Sequence, residues 1–333
     1  MKSIKILLLV IVPAILGVSM ISILEKPDWD DETPVFEVLA ELGEDKPEHF
    51  VTMTDEKVKR GEDLVKLGKA TGPNGEKGKY ISKFYTCTSC HNLSREDPNL
   101  ATVDQDARLK YAMENKIPYL QGSTFWGIVN RETWYNDDYV LKYGDLVRKA
   151  ENSLKASTEL CAVVCSQGRS LKDWEMESIL AYMWSLQMKM GDLDISKEDT
   201  EEWKENKSEE NVALIKSKYL QKSPATFAHL PESKSEGYPF DGRPEMGKGI
   251  FELGCQHCHR PDGESDVVFE NNKQTLGWLK KHITDDSDKS IYQIIRKGTY
   301  AEYGHKEYMP HYTLEKMSHQ QVEDLRAFIE EGA

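Results

Sequence analysis

Positive charge is in short supply along this chain: 43 Lys and Arg stand against 57 Asp and Glu, a formal net charge of -14 over 333 residues. A nucleic-acid binder is expected to carry a basic stripe, so that class is set aside. The negative balance fits docking to a basic partner as well as plain solubility. Cysteine is scarcer still, at six residues, and four of the six fall in two short clusters. The apolar run near the N-terminus lacks the small-residue A-x-A pattern that ends a secretory signal. The first half of the chain also contains no Met-Pro pair.

What is present begins with those clusters, Cys87-Thr88-Ser89-Cys90-His91 and Cys255-Gln256-His257-Cys258-His259. C-x-x-C-H is the attachment signature of c-type haem. Two thiols add across the haem vinyl groups, and the adjacent histidine sits under the iron as proximal ligand. A split zinc ribbon or a thioredoxin-like redox pair shares the C-x2-C spacing, but neither calls for a histidine directly after both pairs. The expectation is two covalently bound haem c groups, held by Cys87, Cys90, Cys255 and Cys258 and ligated by His91 and His259.

Lys2 and Lys5 precede an uncharged run from Ile6 to Leu24. That is close to the roughly 20 apolar residues a membrane span needs, and the lysines keep that end cytoplasmic. Residues 1–24 are therefore expected to be an uncleaved inner-membrane anchor, with the bulk facing the periplasm. Residues 25–50, rich in Asp and Glu, read as a solvated tether. A first haem domain follows at 51–190, opened by an N-capped helix from Thr54-Asp55-Glu56 to near Gly68. Residues 191–243 read as a charged linker that wraps one domain, with one helix from Glu210 to Gln221. A second haem domain occupies 244–333.

An internal repeat links the two domains. Gly61-x-x-Leu64-Val65-x-Leu67-Gly68 matches Gly247-x-x-Ile250-Phe251-x-Leu253-Gly254. Leu171…Ile179-x-Ala181-Tyr182-Met183 matches Met317…Leu325-x-Ala327-Phe328-Ile329 at a constant offset of 146. All four segments have helical apolar spacing, so the fold class is all-α, with a Gly-bearing first helix and an amphipathic last helix in each domain. In the first domain, Val147, Ala150, Leu154, Cys161 and Cys165 share one helical face, and Gly168 is a natural C-cap. A thiol where a second iron ligand is expected suggests thiolate ligation by one of the pair. Buried free cysteines, a disulfide, or ligation by Met113, Met176, Met183 or Met188 are the alternatives.

Each domain resembles the class I cytochrome c domain, in which the first and last helices cross through small residues. That resemblance implies that Met309, in Tyr308-Met309-Pro310, is the sixth ligand of the second haem, with Met317 the weaker rival. Met/His ligation raises the potential, so the thiolate haem is expected to be the lower of the two. Gly61-Glu62-Asp63-Leu64-Val65, Gly72-Pro73-Asn74, Lys79-Tyr80, the first C-x-x-C-H and Cys161-Ala162-Val163-Val164-Cys165-Ser166-Gln167-Gly168 together resemble the N-terminal haem domain of thiosulfate dehydrogenases. The haem-binding subunit of the periplasmic sulfur-oxidation system is a more distant relative with the same ligation. The resemblance implies His/Cys ligation of the first haem by His91 and Cys161. The chain departs from the family at Lys79, where the family has arginine, and at Val164-Cys165, where it has Arg-Ser; those family groups help hold an anionic substrate. The aromatics of the insert Phe125 to Tyr135 are expected to wall the first haem, with Arg131 as a possible anion clamp.

The leading expectation is a membrane-anchored dihaem c-type cytochrome carrying single electrons between redox partner proteins of the respiratory chain or periplasm. The alternative is a thiosulfate dehydrogenase-like oxidoreductase acting on a small sulfur anion at the first haem, with Cys161 and Arg131 as its candidate catalytic groups.

Overall fold

The computed structural model describes residues 28–283, 289–299 and 309–332. The expected anchor, residues 1–24, lies outside the described residues; among the described residues no helix is long and apolar enough to cross a membrane. Those residues are helical, and their one β contact is an isolated bridge between Pro34 and Lys189.

The helix Asp55–Leu67 begins where the Thr54 side chain accepts from the Lys57 amide, and it ends on Gly68 at φ 71°. A left-handed cap of this kind is where glycine carries no Cβ penalty. The helix packs on the closing helix Asp173–Ser185. Leu64, Val65, Ile179, Leu180 and Met183 are buried between and around the two. Pro244–Ile250 and His319–Gly332 repeat the arrangement, burying Ile250, Phe251, Val322, Leu325 and Ile329. The repeat seen in the sequence is thus a repeat of helix pairs.

Packing crosses the boundaries expected from the sequence. The helix Gln105–Asn115 and the loop after it belong to the first unit in sequence, yet Leu109, Ala112 and Tyr119 are buried in the core of the second. The Tyr119 amide donates to the Leu253 carbonyl (3.0 Å), its hydroxyl donates to Gln321 (3.0 Å), and the Tyr312 hydroxyl donates to the Tyr119 carbonyl (3.1 Å). Arg243 clasps Asp106 of the first unit and the fully buried Asp324 of the second. The first unit therefore contributes directly to the core of the second.

The acidic stretch expected to be a solvated tether is instead folded. Val35, Val38, Leu39 and Leu42 recur at helical spacing in Val35–Glu41 and its cap, an apolar stripe that the surrounding acids disguise in the composition. With Trp29 they form a third core, completed by Trp203, Val212, Ile215 and Tyr219 from the expected linker. The linker holds two helices, Lys197–Glu205 and Glu209–Ser217, where one was expected.

Candidate haem sites

The first C-x-x-C-H motif forms a 3-10 turn, Cys87–Ser89, braced by a bond from the Thr86 amide to the Ser89 hydroxyl (3.1 Å). It opens onto a cavity of about 710 Å³, within the ~300–1,000 Å³ typical of cofactor sites. Cys87, Cys90 and His91 line it on one side, and Cys161 and Cys165 on another. His91 Nδ1 lies 2.6 Å from the Ser123 carbonyl, to which it donates. That bond fixes the tautomer and leaves Nε2 with its lone pair free, the arrangement a metal-binding imidazole requires. Burial lowers the His91 pKa, against the raising effect of the Ser123 bond, so the ring is neutral. A Cβ on Gly122 would lie 2.8 Å from the ring; glycine here is what lets the chain pass under the imidazole.

The second motif repeats the device. His259 Nδ1 donates to the Val267 carbonyl at 2.8 Å, and its ring stacks on Phe269 at 4.2 Å between centroids. Burial lowers its pKa as well. Cys255 and Cys258 flank it as free thiols, and burial pushes both up to about 12. All six cysteines are free, and among the described residues no group of three or more His, Cys, Asp or Glu side chains is placed to hold a metal ion. Paired free thiols followed by an imidazole whose Nδ1 is held by a carbonyl suit a covalent haem.

The expected single helical face from Val147 to Cys165 is broken. Asp145–Arg148 and Leu154–Leu160 are separate helices, and Cys161–Cys165 is a π turn, with the Ser166 amide bonding back to the Cys161 carbonyl at 2.8 Å. Such turns recur at functional sites. Here the wider turn keeps both thiols on the cavity wall. The two thiols interact with one another. Cys161 is raised, first by its bond to Cys165 and then by burial, while Cys165 is lowered by that same bond. The left-handed residue after the turn is Gln167 at φ 53°, one position before the expected Gly168. Gly168 instead lies tight against the Ile81 and Ala162 carbonyls.

Among the methionines proposed as rivals, Met183 lines the cavity, Met113 is partly exposed against Gly249, and Met188 sits beside Gly127. Met309 also lines this cavity, with Pro310 and His311, whereas Cys255, Cys258 and His259 do not. Its amide donates to the Thr299 hydroxyl; Tyr308 and His305 lie outside the described residues.

Phe125, Trp134 and Tyr135 wall the cavity, with Phe125 4.8 Å from the His91 ring, whereas Trp126, expected there too, packs against the third core. Arg131 does not line it. The guanidinium is buried behind the wall, donating to Ser123 (3.4 Å) and Ser223 (3.1 Å), in a separate space of about 20 Å³ with Glu96 and Asp97. Facing those carboxylates, it braces the loop that holds His91 and is not an open anion clamp. The sequence reading missed the helix Asp137–Tyr143, which adds Tyr139, Lys142 and Tyr143 to the wall. Asn136 as N-cap before Asp137 and Asp138 was the available signal. Among the described residues, Lys142, Lys297 and Lys316 line the cavity and no carboxylate does, in a chain where acids predominate.

Residues 244–333 match the protein-family model described as cytochrome c. The match supports a c-type cytochrome with covalently bound haem and an electron-transfer role. Comparison with curated proteins and with solved structures gives no match.

Proposed function

We propose that the chain is a dihaem c-type cytochrome, anchored by its first 24 residues and facing the periplasm, which relays single electrons between two protein partners. The observation that carries this reading is the shared treatment of the two motif histidines. His91 and His259 each give Nδ1 to a backbone carbonyl and keep Nε2 for an axial ligand. When bound, haem supplies reversible one-electron chemistry at its iron. The protein's part is to fix the imidazoles, exclude water through the Leu64, Ile81, Phe125, Leu154 and Ile179 wall, and differentiate the two sites by their second ligands. Cys161 is proposed for the first site, and Met309 for the second on its place ahead of the closing helix, although in this structure Met309 lines the first cavity. A pyridine haemochrome assay on protein made with working haem-attachment machinery should give two haems per chain. One haem, lost on mutating Cys255 and Cys258 alone, would reduce the chain to a single cytochrome domain.

A second reading, oxidation of a small sulfur anion such as thiosulfate at the first site, is favoured by one observation. Among the described residues, the cavity beside Cys161 and Cys165 is lined by three lysines and no acid, and Lys142 and Lys297 make no ion pair. Thiosulfate added to the oxidised holoprotein should then reduce the haems. No reduction across pH and concentration leaves electron relay as the function.

A further inference from the structure

The two haem-attachment motifs, 168 residues apart in sequence, touch. Nε2 of His257, a variable position of the second motif, lies 3.1 Å from the carbonyl of Thr88, a variable position of the first; the ring nitrogen donates. Cys258 Sγ lies 3.8 Å from the Ser89 carbonyl. These contacts differ in what haem attachment does to them. Once Cys258 is a thioether its sulfur has no proton to give, so the Ser89 contact loses its hydrogen bond. The imidazole of His257 is untouched by that chemistry, and its bond survives.

Each loop is also stiff on its own side. In the first, Thr86 Oγ1 bonds Thr88 Oγ1 (2.9 Å) and the His91 amide donates to the Cys87 carbonyl (3.0 Å). In the second, Gln256 Nε2 donates to the Phe269 carbonyl (2.8 Å) and the His259 amide to the Cys255 carbonyl (3.0 Å). A bond between two braced loops transmits position, where a bond between slack loops would not. We propose that His257 is a positioning residue that holds the two attachment loops in contact and thereby sets the rate of electron exchange between the two haems. One haem loses the electron that the other gains, and no bond is made or broken. The inference rests on the dihaem reading and adds to it the residue that joins the two sites.

The test uses holoprotein of the full chain as wild type, His257→Ala and His257→Gln. Glutamine keeps an N–H that can reach the Thr88 carbonyl. One electron is injected photochemically into the oxidised protein, and equilibration between the haems is followed optically. Spin–spin broadening in the EPR spectrum reports their proximity. His257→Ala is expected to slow equilibration by about fivefold, the population change that follows loss of one neutral hydrogen bond, and to weaken the broadening. His257→Gln is expected to restore both. An unchanged rate in His257→Ala with two haems bound overturns the proposal. So does a slowed rate that glutamine fails to restore, because bulk at the position would then be what matters. A count of one haem in wild type overturns the dihaem reading itself, and the haemochrome assay identifies that failure before any rate is measured.

Discussion

Gly247 lies so close to Asp324 that a Cβ at the glycine would sit 1.9 Å from the Asp324 carbonyl oxygen. Gly61 stands in the same relation to the Ser178 carbonyl, also at 1.9 Å. Ser178 and Asp324 are separated by the same 146 residues that relate the two closing helices in sequence. The two helix crossings are therefore the same contact built twice, with backbone meeting backbone where no side chain fits. Gly61→Ala or Gly247→Ala must push the helices apart, and overpacking of this kind costs about 1–3 kcal/mol. Guanidinium denaturation of the holoprotein should show a lower midpoint for each variant. Gly277→Ala, where a Cβ meets nothing within 4 Å, should leave the midpoint unchanged or raised.

The glycines of that contact were legible in the sequence as a repeated pattern, while their crossing was implied by the resemblance to the class I cytochrome c domain and not by the spacing. The C-x-x-C-H motifs were visible because covalent chemistry fixes their spacing. Leu109, Ala112 and Tyr119 gave no hint that they serve the second core, since apolar spacing shows that a face is buried and not against what. Trp29, Val35, Val38 and Leu39 were hidden by the acids around them, which occupy the solvent face of the same short helix. The π turn at Cys161–Cys165 was read as ordinary helix because a one-residue widening leaves no mark in composition. Arg131 was misread because an arginine near a cavity looks the same in sequence whether it faces in or sits behind the wall.

Arg243 joins the two units, and its removal should be felt by both. Its guanidinium donates to both Asp106 oxygens (2.7 and 3.0 Å) and to Asp324 (2.6 Å). Arg243→Ala removes the cation from the Asp324 carboxylate, which has no exposure and keeps the Gln320 side chain and the amide of residue 243 as donors. Because the arginine itself is about a third exposed, water can partly replace it, and a loss of about 2 kcal/mol is expected. Arg243→Lys should recover less than half of that, because an ammonium cannot grip two carboxylates with a planar fork. Chemical denaturation of the three proteins decides the order.

Glu96 gives a pH-dependent counterpart. Burial alone would raise its pKa, but Arg108 (3.0 Å) and Lys316 (2.7 Å) hold it far below the ordinary carboxylate range. A depressed folded-state pKa contributes stability above the unfolded value and loses it as pH falls toward the folded value. Glu96→Gln should therefore cost about 3 kcal/mol at neutral pH, the usual effect of breaking a buried pair from one side. The gap between wild type and variant should hold steady down to about pH 5 and narrow below ~4.3. Denaturation midpoints measured from pH 3 to 8 test this, and a gap that widened in acid would contradict the assignment.

The second ligand of the first haem is settled by which thiol faces the iron. In the free thiol pair Cys165 is the more acidic, which on charge alone would favour it. What lowers it is the neighbouring Cys161 thiol first, with Tyr135 adding to the effect. Both thiols line the cavity with Cys87 and Cys90, and it is the resemblance to the N-terminal haem domain of thiosulfate dehydrogenases that puts the ligand at Cys161. A ligand needs a sulfur lone pair directed at the metal, and iron lowers the pKa of the thiol it binds, which removes the advantage Cys165 holds in the free pair. Cys161→Ala is therefore expected to abolish the low-spin thiolate signal in the EPR spectrum of the oxidised protein. Cys165→Ala should keep the signal but lower the midpoint potential of that haem, because a neighbour that donates to the thiolate withdraws charge from the iron. The reverse pattern, with the signal lost only in Cys165→Ala, would move the ligand one turn along the helix and make Cys161 the donor.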